Sequence, residues 1–287
     1  MLVAGGTGRL GTLVVTALAA RGVDVRVMTR DLRRAAHLDG GHVETVLGDV
    51  RDPASTAAAV AGTAIVVSAV HGFAGPGRVS PASVDRDGNI HLIQAARAAG
   101  ADVVLMSGVG AASDSPLELF RMKHAAETAL AASAVPATIV RATAFLELWI
   151  DLLRRTAGRS HRPLVFGRGQ NPINFVSVPD VAALVVRVVT DPATRGETLE
   201  IGGPDNLTLD QLARMVAASG GDSAKPRHVP RAALHTMAAT VGRLRPELGR
   251  QARAALAMDR DDMTFDGHAT RTRFVDLPCT SAAELLP

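Results

Sequence analysis

Tyrosine is missing altogether from this chain of 287 residues, and cysteine and tryptophan occur once each. No phenol can therefore serve as an acid or base. The single cysteine, Cys279, excludes an internal disulfide and gives no sign of secretion. Lysine is almost as scarce: of 31 Lys and Arg residues, all but Lys123 and Lys225 are arginine. With abundant alanine, this skew matches a bias in nucleotide composition. No apolar run is long enough to span a bilayer, and the N-terminus turns glycine-rich by residue 5 rather than continuing as a signal peptide. The formal net charge is +3, and the locally basic stretch GRLRPELGRQAR (242–253) has no interleaved aromatics, which argues against a nucleic-acid partner. The histidines form no H-x-x-x-H pair and have no partner cysteines, and DRDD (259–262) lacks the glycine and spacing of a calcium loop, so no metal is expected. A G-x-S-x-G hydrolase elbow is also absent. The expectation is a soluble, cytoplasmic protein with neither membrane nor nucleic acid as partner.

What is present is an alternation of short apolar runs and helix-length, alanine-rich stretches. LVAG (2–5), DVRVMT (24–29), VETVLGD (43–49), AIVVSAV (64–70), DVVLMS (102–107) and ATIVRA (137–142) read as strands. LGTLVVTALAARG, RDPASTAAAVAG, NIHLIQAARAAG and KHAAETALAAS between them read as helices, three of which end near Gly22, Gly62 and Gly100. Strands that are apolar throughout and separated by helices indicate a parallel sheet covered on both faces, the doubly wound α/β arrangement. Beyond Phe145 the rhythm changes. Residues 158–174 are polar and turn-rich, and 174–191 give a short strand and a helix with Asp180 placed to cap it. Residues 197–203 form a strand, 207–220 a helix capped by Thr208, and the last 65 or so residues are weakly patterned. We expect a dinucleotide-binding Rossmann domain over 1–145, with 174–191 packing back onto it. A smaller α/β substrate or partner region would occupy 146–287.

VAGGTGRLG (3–11) is the most informative stretch. Gly5, Gly8 and Gly11 follow a strand at three-residue spacing and open a helix, and Gly6 fits the G-x-G-x-x-G form with Gly8 and Gly11. Such glycines permit a tight turn, let backbone approach a pyrophosphate, and allow helix to pack closely on strand. The loop Gly5, Gly6, Thr7, Gly8, Arg9, Leu10 and Gly11 is thus the candidate dinucleotide cradle. Where an NAD-binding chain carries an acid at the end of the second strand, this one has Arg30, which with Arg9 and either Arg33 or Arg34 could hold a 2′-phosphate. That favours NADP(H). NAD(H) would require Asp31 as the ribose acid, a residue placed equally to cap the following helix.

These motifs occur in a telling order: GGTGRLG, TRD (29–31), LGDVRD (47–52), DRDGNIHLIQAARAAGADVVLMSGVGA (85–111), RMKHAAE (121–127), NFVSVPDVA (174–182) and IGGPDNLTLDQLA (201–213). Together they resemble the atypical short-chain dehydrogenase/reductase superfamily, in its NmrA-like, NAD(P)H-binding branch, over residues 1 to about 218. The resemblance implies a contact from Asp49 to the adenine amino group with Val50 beside it, and a path for the ribose and nicotinamide along Ala69, Val70 and His71. It implies Thr143 and Phe145, in RATAF, near the nicotinamide, although Ala142 stands where relatives carry proline. It makes Ser107 and Lys123 the candidate catalytic residues. Each position has a plainer alternative: a cap at Asp49 and Ser107, a solvated loop at His71, and a surface lysine at Lys123 paired with Glu127 one turn on.

The larger superfamily works with Tyr-x-x-x-Lys, but four residues before Lys123 stands Leu119, with Phe120 beside it. Tyr-dependent carbonyl reduction and sugar-nucleotide epimerisation are therefore not expected, while Lys123 remains suited to binding the nicotinamide ribose or giving up a proton. The resemblance implies an NADPH-dependent reductase. It would transfer hydride to an electron-poor small molecule such as a quinone, dye or enone, with pocket walls from residues 143–175 and the C-terminal region. The alternative is a non-catalytic NADP(H)-sensing regulator acting through a protein partner; a homodimer is compatible with both.

Overall fold

The computed structural model describes residues 1–158, 162–221 and 225–286; residues 159–161, inside the stretch expected to be turn-rich, lie outside the described residues. The first half is built from β1 (Leu2–Ala4), α1 (Arg9–Ala19), β2 (Val25–Thr29), β3 (Val43–Leu47), α2 (Pro53–Val60), β4 (Ile65–Ser68), α3 (Asp87–Ala99), β5 (Asp102–Gly108), α4 (Glu118–Ala132) and β6 (Ala137–Ala142). The chain continues through β7 (Ala144–Phe145), α5 (Leu146–Ala157), β8 (Leu164–Phe166), β9 (Pro172–Val176), α6 (Val178–Thr190), β10 (Thr198–Ile201), β11 (Asn206–Thr208) and α7 (Leu209–Ser219). It ends with β12 (Arg227–Val229), α8 (Arg231–Ala239), α9 (Val241–Leu244), α10 (Pro246–Met258), α11 (His268–Arg273) and α12 (Ala282–Leu285).

A seven-stranded sheet runs β10-β6-β5-β4-β1-β2-β3. The pairs β1–β2, β1–β4, β2–β3 and β4–β5 are all parallel, as unbroken apolar strands require. The order reverses between β1 and β4, and the crevice beyond the strand ends at that switch is where open α/β sheets take ligands. Gly100 caps α3, and Gly22 and Gly62 lie just past the ends of α1 and α2; they have φ of +66°, +75° and +71°, a conformation other residues reach only at a steric cost.

Two compact units divide the chain. The first comprises Met1–Ser115, Leu119–Arg141 and Val181–Glu200; the second comprises Pro116–Glu118, Ala142–Asp180 and Ile201–Pro287. In the first, Leu2, Val66, Leu92, Val103, Leu105 and Leu130 form the heart of a core between sheet and helices. In the second, Leu146, Ile150, Ile173, Phe175, Leu209 and Leu212 gather around a three-stranded sheet, β11-β9-β7. Among the described residues no helix is long and apolar enough to cross a membrane.

Local signals predicted some elements well and others poorly. Thr208 caps α7 as expected, in a capping box with Gln211. β8 lies within the stretch expected to be turns, because three residues that pair with distant β12 leave no periodic trace. The weakly patterned C-terminus forms α8 to α12. Asp180 does not cap α6; it is the third residue of that helix and fully buried. Glu147 caps α6 instead, accepting from Ser177 Oγ at 2.6 Å and Val178 N at 2.9 Å. The Asp180 carboxylate accepts from Thr280 N at 2.9 Å, Thr280 Oγ1 at 2.8 Å and Arg271 Nη2 at 3.2 Å, so it anchors the C-terminal segment. Asp180→Ala leaves a guanidinium and two donors without their acceptor. We expect a loss of about 3 kcal/mol in chemical denaturation and faster proteolysis around residues 271–280.

Candidate functional site

Close backbone contact fixes the loop after β1. Gly5 has φ +85°, and a Cβ there would lie 2.5 Å from the Ala69 carbonyl oxygen across the switch point. A Cβ on Gly11 would strike the Gly5 carbonyl oxygen, and one on Gly6 would sit 2.8 Å from a Val27 methyl. Gly8 N donates to Gly5 O at 2.9 Å, closing the turn. Gly8 is the N-cap of α1 and offers no side-chain cap; Gly8 and Arg9 are exposed while Leu10 is buried against the sheet. The helix thus presents its N-terminus to a narrow backbone-lined cradle that suits the diphosphate of a dinucleotide and has no room for side chains.

Arg30, directly after β2, is exposed. Asp31 caps a single 3-10 turn, accepting from Arg33 N at 3.1 Å, and its carboxylate also pairs with the Arg33 guanidinium at 2.9 Å. Those Arg33 bonds hold the Asp31 carboxyl below the usual carboxylate range. Arg33 is thereby turned to its own neighbour, which leaves Arg30 and Arg34 as the uncommitted cations of that expectation. Asp49 follows β3 and accepts from Arg51 Nε at 3.0 Å. Arg51 lowers the Asp49 pKa most, burial opposes it, and the charge of Arg30 adds to the lowering. Val50 is buried against Gly88, where a Cβ would meet it at 2.7 Å. Ala69 and Val70 are half-buried beyond the end of β4.

Lys123 is not a surface lysine. It is 9% exposed, its Nζ donates to Met106 O on β5 at 3.0 Å, and it lies 3.2 Å from Oδ1 of Asp85. Glu127, the surface partner considered for it, is buried and takes Arg141 instead, through bonds of 3.0 and 2.6 Å. That bidentate pair, with Glu200 at 3.2 Å, raises the Arg141 pKa. Asp85 itself carried no expected role. Its side chain is fully buried in a π-helical turn, Pro81–Arg86, and Oδ2 accepts from Gly72 N at 2.9 Å. His71, half-exposed, places Nδ1 3.8 Å from Oδ1 and stacks on Phe73. Burial pushes the Asp85 pKa up, but Lys123, His71 and the Gly72 N–H together bring it below the ordinary value. Asp85 opens the stretch DRDGNIH, but no spacing in the sequence marks its role, because its partners come from α4 and from the loop after β4.

Ser107, at the end of β5, is 6% exposed, and its hydroxyl has no hydrogen-bond partner among the described residues. Phe120, next to Leu119 at the place of the absent tyrosine, packs on Gly108, where a Cβ would lie 2.7 Å from its ring. The first unit therefore contains the glycine loop, Arg30, Asp49, Val50, Ala69, Val70, His71, Ser107 and Lys123. Thr143 and Phe145 belong to the second unit, not to the dinucleotide domain in which they were expected. There Thr143 Oγ1 donates to Asn174 Oδ1 at 2.9 Å, and Phe145 pairs with Val176 across β7–β9.

Comparison with known proteins agrees with this fold. An NAD(P)H azoreductase of Xenophilus azovorans is 29% identical over 225 residues, covering 77% of this chain and 74% of that protein. The photosystem II assembly factor Ycf39 of Trieres chinensis is 26% identical over 232 residues, covering 80% of this chain and 72% of that protein. Among solved structures, an NADPH-dependent quinone oxidoreductase of Escherichia coli complexed with NADPH superposes with a TM-score of 0.79 at 22% identity, covering 99% of this chain and 98% of that one. The model of the NAD(P)H-binding family matches residues 5–192, from the first glycine of the loop to the end of α6, and the chain belongs to that family.

Proposed function

We propose that this chain is an NADPH-dependent reductase that passes hydride to a small, electron-poor acceptor of azo, quinone, dye or enone type, without a tyrosine acid. The observation that carries the proposal is Lys123: a buried ammonium on α4, bonded to a carbonyl of β5, in a chain with no tyrosine at all. Support comes from the azoreductase, which spans about the same length of chain. The fold of the quinone oxidoreductase is consistent with the same chemistry.

In this proposal the backbone N–H groups of residues 6–8 and the start of α1 bind the diphosphate, since the cradle excludes side chains. Arg30, with Arg9 or Arg34, binds the 2′-phosphate. Asp31 is occupied by Arg33, which weakens the case for a free ribose acid and for NAD(H). Asp49 must share its carboxylate between Arg51 and an adenine amino group. When bound, the dinucleotide supplies the hydride. Lys123 hydrogen-bonds the nicotinamide ribose with a donor that Met106 O does not take, or gives a proton to the reduced product. A quinone or azo acceptor can also be protonated by water, so the missing tyrosine does not preclude turnover. A second possibility, an NADP(H)-sensing regulator with a protein partner, is favoured by that same absence and by the likeness to an assembly factor.

The deciding experiment follows loss of reduced-nicotinamide absorbance with a panel of azo dyes, quinones and enones, alongside calorimetric binding of NADPH and NADP⁺. Turnover of at least one acceptor is expected; tight binding with no turnover across the panel favours the regulator. Arg30→Ala should weaken NADPH by roughly 10- to 100-fold, the worth of a charge-assisted bond, and NADH far less; equal losses would refute the 2′-phosphate assignment. Gly11→Ala, which forces a methyl onto the Gly5 carbonyl, should cost about 1–3 kcal/mol of stability and abolish measurable NADPH binding in the same titration.

A further inference from the structure

We infer that Asp85 is a positioning residue of the reduction site: its buried carboxylate clamps the loop after β4 to Lys123 and keeps that lysine aimed. The inference rests on the reductase proposal only for its effect on turnover; the clamp itself is a property of this chain.

Three observations carry it. The first is the completeness of burial. The Asp85 side chain has no exposed surface, although an isolated ion pair in a protein interior adds little to stability compared with apolar side chains of the same volume. The second is how its two oxygens are used. Oδ2 is bound by the Gly72 N–H, whereas Oδ1 meets Lys123 at 3.2 Å and His71 at 3.8 Å and accepts no aligned hydrogen bond among the described residues. A carboxylate serving only the fold would be expected to have both oxygens bound. The third is the local backbone. Asp85 lies in a single π-helical turn ahead of α3, a rare geometry that is frequent at functional sites. The turn is itself held, since Asn89 Nδ2 donates to Asp85 O at 2.7 Å and Asn89 is bonded in turn to Ser68 at the end of β4.

The neighbouring charges are accounted for. Arg86 and Asp87 pair with each other at 2.7 Å. On α4, Glu127 is taken by Arg141, and His124 lies 4.0 Å from that same glutamate. On β5, Ser107 is neutral and buried. Among the described residues, the ion pair of Lys123 is therefore with Asp85. An ammonium has three donors. Met106 O takes one, and the charge of Asp85 3.2 Å away holds the ammonium from a second side, which restricts the directions left to face a ligand. The same carboxylate fixes Gly72, and so the exit of the loop that carries Ala69, Val70 and His71.

The chain supplies its own internal standard for a test, because its other lysine, Lys225, is exposed. Trace acetylation of the full-length protein at neutral pH, followed by mass spectrometry, gives the ratio of labelling at Lys123 to that at Lys225. In Asp85→Asn, which keeps the shape and the acceptor for Gly72 but removes the charge, the ratio should rise by about fivefold or more, since without its ion-pair partner the Lys123 amine is no longer held in its buried place. With the acceptor that works best for the unaltered protein, kcat should fall by roughly 10- to 100-fold while KM for NADPH changes by less than about threefold. Ser68→Ala loosens the same turn without touching the carboxylate and should leave the labelling ratio unchanged. An unchanged ratio in Asp85→Asn, or an equal rise in Ser68→Ala, overturns the clamp and leaves Asp85 a structural residue. If Asp85→Asn does not fold, Asp85→Glu carries the test: the charge stays but its extra methylene displaces it, so the ratio should rise and kcat fall, and wild-type values for both would overturn the inference. A rise in labelling in a protein that reduces no acceptor would sink the reductase proposal and leave the clamp standing.

Discussion

The backbone of Gly5 lies against the carbonyl of Ala69, and the backbone of Gly11 lies against the carbonyl of Gly5. Neither contact leaves room for a single methyl group. Because β1 and β4 are adjacent parallel strands at the point where the sheet order reverses, these approaches bring the start of α1 to the mouth of the crevice with nothing but peptide groups in front of it. The partial positive charge of a helix N-terminus acts only over the first turn. A loop held open by side chains would have placed that charge out of reach of a diphosphate.

Charge is handled in two distinct ways in this molecule. Arginine meets carboxylates through its planar fork, as in Arg33 with Asp31, Arg51 with Asp49, and Arg141 with Glu127. These pairs consume the fork and fix direction twice over. The one buried lysine does something different. An ammonium is a compact point charge with three donors on a flexible stem, and Lys123 gives one to a strand carbonyl while lying 3.2 Å from a carboxylate that has no exposed surface. In a chain that otherwise uses arginine almost everywhere, this lysine stands apart, because a compact ammonium meets its partners without the planar fork that a guanidinium must orient. The lack of tyrosine sharpens the point, because Leu119 and Phe120 contribute only apolar surface where relatives of the larger superfamily place a phenol.

Much of this was legible in the sequence. The parallel sheet followed from uninterrupted apolar strands, the helix ends from Gly22, Gly62 and Gly100, and the cradle from three glycines at fixed spacing after a strand. Local rules succeed there because each element is specified by residues close to one another. They failed at Asp180, where a helix-start acid turned inward to a partner a hundred residues later, and at β8 and β12, whose three-residue strands are stabilised only by each other.

The sequence by itself determined the fold class, the loop, and the choice of an arginine over an acid at the end of β2, since each depends on spacing along one strand–turn–helix unit. Tertiary structure alone decided what Lys123 is. Its spacing from Glu127 allowed an ordinary surface ion pair, but folding buried both residues and gave each another partner, Arg141 from β6 for the glutamate and Asp85 from a π-helical turn for the lysine. Burial raises the cost of an unpaired charge so steeply that the pairing is settled by which groups share the interior, not by which are neighbours in the chain.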